Sequence, residues 1–164
     1  MFKINYYVIY GSTGVCQVKD IKREKDNNNE EIEYYILNPV YDRRMTIKTP
    51  VLNRKVYMRD IMTREDVSLL INKIADNEVI SIENARERAE TFKNIIRNGE
   101  SDDLIKVINT IKIDKEEKLN MGKKLNKTEE DIMLAAKKKL YEEFAIVLDI
   151  PVENVSLYIK EKIS

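Results

Sequence analysis

The chain has 164 residues and a mass of 19.3 kDa, the size of one large domain or two small ones. Its 29 basic and 29 acidic side chains cancel, and 43% apolar residues are enough to build a core. With no histidine, no tryptophan and one cysteine, it excludes Ser-His-Asp and Cys-His catalysis, imidazole metal sites and any disulfide within the chain.

From Met1 to about residue 60 the chain is rich in Tyr, Val, Ile and Thr in short runs broken by turn formers, the pattern of strands. Ile4–Tyr10 is a first strand, closed by Gly11-Ser12-Thr13-Gly14, and Val15–Lys22 a second. Asp26-Asn27-Asn28-Asn29 is a polar turn before a third strand, Ile32–Leu37, which Asn38-Pro39 ends. Met45, Ile47 and Thr49 alternate with Thr46 and Lys48, the period of a half-buried strand. Leu52–Tyr57 reads as a fifth. Five short strands in this length predict a small SH3-like or Tudor-like barrel.

Beyond residue 60 the apolar period becomes helical. Thr63-Arg64-Glu65-Asp66 opens a first helix that buries Val67, Leu70, Ile71 and Ile74. A second places Ala85, Ala89, Phe92 and Ile96 on one face and stops at Asn98-Gly99. Ser101-Asp102-Asp103 opens a third with Leu104, Val107, Ile108 and Ile111 inward. Thr128-Glu129-Glu130-Asp131 opens a fourth with Ile132, Ala136, Leu140, Phe144 and Val147 inward. Pro151 starts a fifth with Val155, Ile159 and Ile163 behind it. Asp76-Asn77-Glu78 is the expected hinge. The fold class is therefore α+β: a small N-terminal β-barrel over residues 1–60, then an all-α helical bundle over 61–164.

Little in this inventory carries catalysis. Gly11-Ser12-Thr13-Gly14 has no lysine after its second glycine and leads into a strand, so it is a hairpin turn rather than a phosphate loop. Adjacent carboxylates such as Glu116-Glu117 and Glu142-Glu143 point about 100° apart on a helix and read as surface pairs. Cys16 lies between apolar neighbours and reads as a buried small side chain. No catalytic residue, cofactor, metal site or small-molecule substrate is expected. Charge is shared almost evenly between the halves, and Arg86, Arg88, Lys93, Arg97, Lys123, Lys124, Lys127 and Lys137-Lys138-Lys139 read, taken alone, as solvated helix faces. Met1-Phe2-Lys3-Ile4-Asn5 lacks the form of a secretory signal, and no apolar run approaches the roughly 20 residues of a membrane span, so a cytoplasmic chain without membrane attachment is expected.

The order of motifs resembles the CarD/CdnL family of bacterial transcription regulators. Phe2 to Val15 looks like the family's F-x-x-G-D-x-V-V-Y-P-x-x-G-V pattern, departing from it at Asn5, Tyr6 and Gly11. Glu33-Tyr34-Tyr35-Ile36-Leu37 matches E-Y-Y-x-L, and Met45-Thr46-Ile47-Lys48-Thr49-Pro50-Val51 matches M-x-V-x-x-P-V. In the helical half, Asn98-Gly99-Glu100, Leu125 to Glu129 and Leu140 to Ala145 resemble the family's S-G-D, L-S-x-x-E and L-x-x-E-x-A segments.

The resemblance implies a Tudor-like module that docks by strand addition on the RNA polymerase β subunit, here through Thr46, Lys48 and Thr49. It implies a helical module that touches promoter DNA, for which Arg86, Arg88, Lys93 and Lys127 are the candidate phosphate contacts. The family's wedging tryptophan falls at Ala85, whose methyl cannot unstack a base step, and Glu130 and Asp131 replace basic residues nearby. The expected activity is modulation of promoter open complexes without enzymatic chemistry. A protein-interaction adaptor, whose helical half recruits another protein, is the alternative.

Overall fold

The computed structural model describes every residue of the chain except 53 and 54. Five strands are followed by five α-helices, the α+β order predicted by the change of period. The chain divides into two compact units, Met1–Ile61 and Met62–Ser164, each around its own apolar core.

In the first unit, β1 (Tyr7–Tyr10), β2 (Gly14–Lys25), β3 (Glu31–Pro39), β4 (Ile47–Pro50) and β5 (Met58–Asp60) form one sheet. Its order is β4-β3-β2-β1-β5, with every neighbouring pair antiparallel. Val8, Cys16, Val18, Tyr35 and Leu37 make the core, with Phe2, Tyr10, Ile47 and Met58 packed around them. Among the described residues no ladder joins β4 to β5, so both present an unpaired edge.

Several strand limits differ from the sequence reading, each for a local reason. β1 starts at Tyr7 rather than Ile4 because Asn5 takes φ 73°, which breaks the extended run. The Asn5 N–H then donates to the Val18 carbonyl at 2.7 Å, and the Val18 N–H to that of Tyr6 at 2.9 Å. β2 and β3 run longer because Asp26 Oδ1 accepts from the Asn28 and Glu30 N–H groups at 2.8 and 2.9 Å and closes the turn tightly. Pro39 does not break β3: it sits at the strand's last position, opposite Cys16. Met45 lies before β4 and is exposed, so the alternation holds only from Ile47 onward. The last strand is Met58–Asp60, paired with β1, not Leu52–Tyr57, part of which lies outside the described residues. Gly11–Thr13 is one turn of 3-10 helix between β1 and β2, the hairpin connection expected.

The second unit is built from α1 (Arg64–Ala75), α2 (Ala85–Asn98), α3 (Ser101–Asn120), α4 (Lys127–Leu148) and α5 (Val155–Ile163). α1 opens with a capping box: Thr63 Oγ1 accepts from the Asp66 N–H at 3.1 Å, and Asp66 Oδ2 accepts from the Thr63 N–H at 2.9 Å. Asn84 and Asn126 cap α2 and α4, accepting from Glu87 and Glu129 N–H groups at 2.9 and 2.8 Å. The cap of α4 thus precedes Thr128. α3 has Glu100 at its N-cap position with no side-chain bond, and Asp102 pairs instead with Lys73 at 2.5 Å. Gly99 ends α2 in an extended conformation, and a Cβ there would lie 2.6 Å from the Ile95 carbonyl oxygen.

The inward faces of the helices are those read from the sequence, except at their ends. Ala85 in the first turn of α2 and Ile163 at the end of α5 are exposed. Pro151 starts not α5 but a 3-10 turn, Val152–Asn154, that leads into it. The expected hinge after α1 is tied down: Asn109 donates to the Glu78 carbonyl at 3.1 Å, and the Ile80 N–H donates to Thr110 Oγ1 at 2.9 Å. Asn109 and Thr110 are both buried, so this link is fastened to the face of α3.

Candidate functional site

β4 is an edge strand of four residues. Its register pairs Thr49 with Tyr35 and Ile47 with Leu37, and the Val51 N–H donates to the Glu33 carbonyl at 2.9 Å. Antiparallel ladders exchange hydrogen bonds at alternate residues. Val51, Thr49 and Ile47 therefore point their backbone groups at β3, while Lys48 directs its N–H and C=O outward. An added strand would pair with both outward groups. The strand's shortness and Pro50, which has no N–H, limit this edge to a short register.

Side chains on β4 divide as alternation requires. Thr49 is buried at 1% exposure, so it contributes packing beneath the edge rather than a side-chain contact above it. Thr46 is exposed, with Oγ1 3.5 Å from Asn38 Oδ1. Lys48 is exposed and already engaged: its ammonium pairs with Glu24 on β2 and lies 4.5 Å from the centre of the Tyr34 ring. The lysine lies across β3 rather than standing free at the rim.

Of the helix residues read as phosphate contacts, Arg86 and Lys93 lie two turns apart on one side of α2 and are exposed, Lys127 opens α4, and Arg88 is held inside the unit. Arg88 is withdrawn from that role: its side chain is 16% exposed, pairs with Asp114 of α3, and lies 3.4 Å from Glu129 of α4. Its guanidinium also stacks on buried Phe92 at 5.1 Å, and Arg88 Nε and Glu129 Oε2 are buried without hydrogen-bond partners. Arg88 is a staple joining three helices. Arg86 is exposed, with Glu90 one turn on at 3.6 Å. Lys127 is exposed and bonds Asp131 at 2.9 Å, which raises its pKa. Lys93 is exposed on the third turn of α2.

Three consecutive lysines on α4 face three ways, as 100° steps dictate. Lys139 donates to the Ile96 carbonyl at 2.5 Å near the end of α2, where a cation suits the helix dipole. Lys138 stands one turn before Glu142, and the pKa of half-buried Lys137 is lowered, first by desolvation and then by the charges of Lys115, Lys112 and Lys160. The reading of Glu142-Glu143 as a surface pair is corrected too. Glu143 is buried at 3% exposure and accepts from the Met62 N–H at 2.9 Å, anchoring the chain just before α1. Burial raises the pKa of the Glu142 carboxyl, with Lys138 opposing. A carboxylate three residues after Leu140 and seven after Ala136 falls on the apolar stripe, a signal available in the sequence.

Cys16 is fully buried, and desolvation pushes its thiol up to about 11. Phe92 at 0% exposure cannot serve as an inserted wedge, and Ala85 presents only a methyl group in the first turn of α2. Among the described residues, no group of three or more Cys, Asp or Glu side chains is placed to hold a metal ion, and no helix is long and apolar enough to cross a membrane.

Against known proteins, the family model of the CarD-like/TRCF RID domain matches residues 2–62, the span that contains all five strands. The N-terminal unit belongs to this family. The chain is thus a transcription-related protein carrying a CarD-like, RNA polymerase-interacting domain. No curated protein matches the chain.

Backbone conformation accounts for two of the departures from the family pattern. Asn5 stands where the family pattern has glycine, and its φ of 73° is a conformation that asparagine tolerates better than other side chains. Gly11, standing where the pattern has proline, has φ 46°, which proline cannot adopt. The turn between β1 and β2 therefore differs locally from that pattern.

Proposed function

We propose that the chain is a non-enzymatic transcription regulator that docks on the β subunit of RNA polymerase by strand addition to β4 and modulates promoter open complexes through its helical unit. The observation that carries the reading is the open β4 edge, with the Lys48 N–H and C=O facing out, inside the matched RID domain. Thr46 and Lys48 flank the incoming strand, and Thr49 holds the edge from beneath. Docking then brings the helices close to promoter DNA. With Ala85 at the wedge position, they act by position and charge rather than by insertion.

The test is a competitor-challenge decay of polymerase–promoter open complexes with no factor, with the chain, and with Ala85→Trp. The reading expects a modest effect of the wild type on lifetime and a longer lifetime with the tryptophan. Identical decay in all three arms would refute open-complex modulation.

The adaptor reading draws on a separate observation. Arg86, Arg88 and Lys127 are all paired with carboxylates of the chain itself, which weakens these three as phosphate contacts. Recovery of a stoichiometric protein partner on the helical unit, with no DNA binding, would favour it.

A further inference from the structure

We propose that a cleft on the face of the sheet opposite the core, lined by Lys19 and Arg43, binds a small phosphate ester. This site uses neither the β4 edge nor the helices, so it stands apart from the docking reading above.

Strand register builds the floor of the cleft. Tyr7 of β1 lies opposite Gln17 of β2, which lies opposite Asn38 of β3. Directly paired residues share a face, and their neighbours Val8, Cys16, Val18 and Leu37 fill the core on the other one. The three polar side chains therefore form a row across the middle of the sheet, away from the core. A β-bulge adds the first cation. The register with β3 shifts between Val18 and Asp20, leaving Lys19 as the extra residue. Bulges re-aim side chains in this way, and core-facing positions resume at Ile21. Asp20, beside the bulge, accepts from the Ile21 N–H at 2.8 Å. The link from β3 to β4 supplies the second cation. Asp42 accepts from the Arg44 N–H at 3.3 Å and lies 3.9 Å from the Arg44 guanidinium, so this neighbouring carboxylate is turned to Arg44 and away from Arg43.

The result is a cleft of about 380 Å³, lined by these five side chains with Pro39 and Val40 and by no carboxylate. That volume suits a small molecule. Among the described residues neither Lys19 nor Arg43 has an ion pair, and both are exposed. Gln17 Nε2 donates to the Asn5 carbonyl at 3.1 Å, which leaves its Oε1 to accept from a ligand. Asn38 Oδ1 lies 3.5 Å from Thr46 Oγ1, which leaves its amide nitrogen to donate. Two cations match the charge of about −1.5 to −2 on a phosphate ester at pH 7, whereas a single carboxylate would neutralise only one of them. The planar fork of Arg43 suits two phosphate oxygens at once. The phosphate group is thus assigned to Lys19 and Arg43, and the organic part to Tyr7, Gln17 and Asn38.

Calorimetric titration of the full chain with AMP, ribose 5-phosphate and inorganic phosphate is the test. At least one ester should bind, with inorganic phosphate weaker by about tenfold or more because it leaves the polar row unused. The Lys19→Gln, Arg43→Gln double variant should lose about tenfold or more in affinity for the ester. Arg44→Gln, on the same link but outside the cleft, should stay within about twofold of the wild type, since a screened surface charge contributes little. Both cleft cations are exposed, so the double variant should fold; circular dichroism checks this. Tighter binding of AMP than of ribose 5-phosphate would support a nucleotide as the ligand, and equal binding a sugar phosphate. No binding of either ester at millimolar concentration would overturn the site. So would equal losses in the double variant and Arg44→Gln, which would mean diffuse attraction. Inorganic phosphate binding as tightly as both esters would overturn the role given to Tyr7, Gln17 and Asn38. Displacement of the ester by an equal concentration of hexaglutamate would overturn the assignment to a phosphate ester in favour of an acidic protein segment.

Discussion

Lys48 of β4 and Glu24 of β2 form an ion pair that spans β3, with the ammonium 4.5 Å from the centre of the Tyr34 ring. The pair spans the outer three strands, β4, β3 and β2, and fixes the lysine over the sheet while leaving the outward backbone of β4 uncovered. Both side chains are nearly half exposed, at 45% and 47%, so solvent screens the attraction. Lys48→Met should therefore cost less than about 1 kcal/mol of stability. Lys48→Glu sets a second carboxylate beside Glu24 and should cost more than the methionine. Urea denaturation of the two variants, followed by a probe within the first unit, measures the difference.

Cys16 supplies that probe. Its thiol is buried in the core of the sheet and held near 11, so at pH 8 it should resist alkylation while the first unit is folded. Rapid labelling of the native protein at pH 8 would contradict its placement. The linkage has a definite sign. A thiol whose pKa is raised in the folded state favours folding while it stays protonated. Stability from this group is complete below its ordinary value of 9.0 and declines as pH rises from there towards about 11.

Arg88 predicts a different kind of loss. Replacing it with methionine leaves Asp114 and Glu129 facing one another without their shared cation. Removing one partner of a largely buried ion pair should destabilise the helical unit by on the order of 3 kcal/mol. The Arg88→Met, Glu129→Gln double variant should recover part of that loss, since one uncompensated charge goes with it. Circular dichroism of the helical unfolding transition tests both. A stable Arg88→Met protein with weakened DNA binding would instead return this arginine to a phosphate-contact role.

Asn5 carries the strained turn ahead of β1. Asn5→Gly should be neutral or slightly stabilising, because glycine adopts φ 73° without steric cost. Asn5→Val should lose about 1–2 kcal/mol from the first unit, since a branched side chain crowds the backbone in this conformation. Thermal unfolding of the pair, read at Cys16, would expose an error if valine were tolerated as well as glycine.

These particulars show what the sequence makes legible. Alternation over Ile47, Lys48 and Thr49 reports which side chains of β4 face the core, because strand period is a local property. It cannot report that Glu24 receives the lysine, since that depends on the register of three strands. Helical spacing identifies Val67, Phe92, Ile111 and Leu140 as core, but it overextends to Ala85 and Ile163, where the helix ends lose their neighbours. Arg88 looks like any surface arginine until α3 and α4 deliver Asp114 and Glu129 to it. The run Lys137-Lys138-Lys139 reads as one basic patch in one dimension, whereas helical rotation leaves Lys137 half-buried, sets Lys138 one turn before Glu142 and sends Lys139 to the Ile96 carbonyl. Glu143 was readable: its place on the stripe of Ala136, Leu140 and Phe144 marks a buried carboxylate in need of a donor.

Strand addition at β4 is the central claim, and backbone substitution tests it most directly. Because the Lys48 N–H points away from β3, Lys48→Pro removes an outward donor while the ladder to β3 keeps its bonds. Lys48→Met removes the side chain and keeps that donor. Titration of the full-length wild type and both variants against the isolated polymerase β subunit separates the two contributions, with Cys16 protection confirming that each sheet is folded. The account predicts that Lys48→Pro loses about tenfold or more in affinity and that Lys48→Met stays within a few-fold of the wild type. A folded Lys48→Pro protein that binds the β subunit as tightly as the wild type would contradict it.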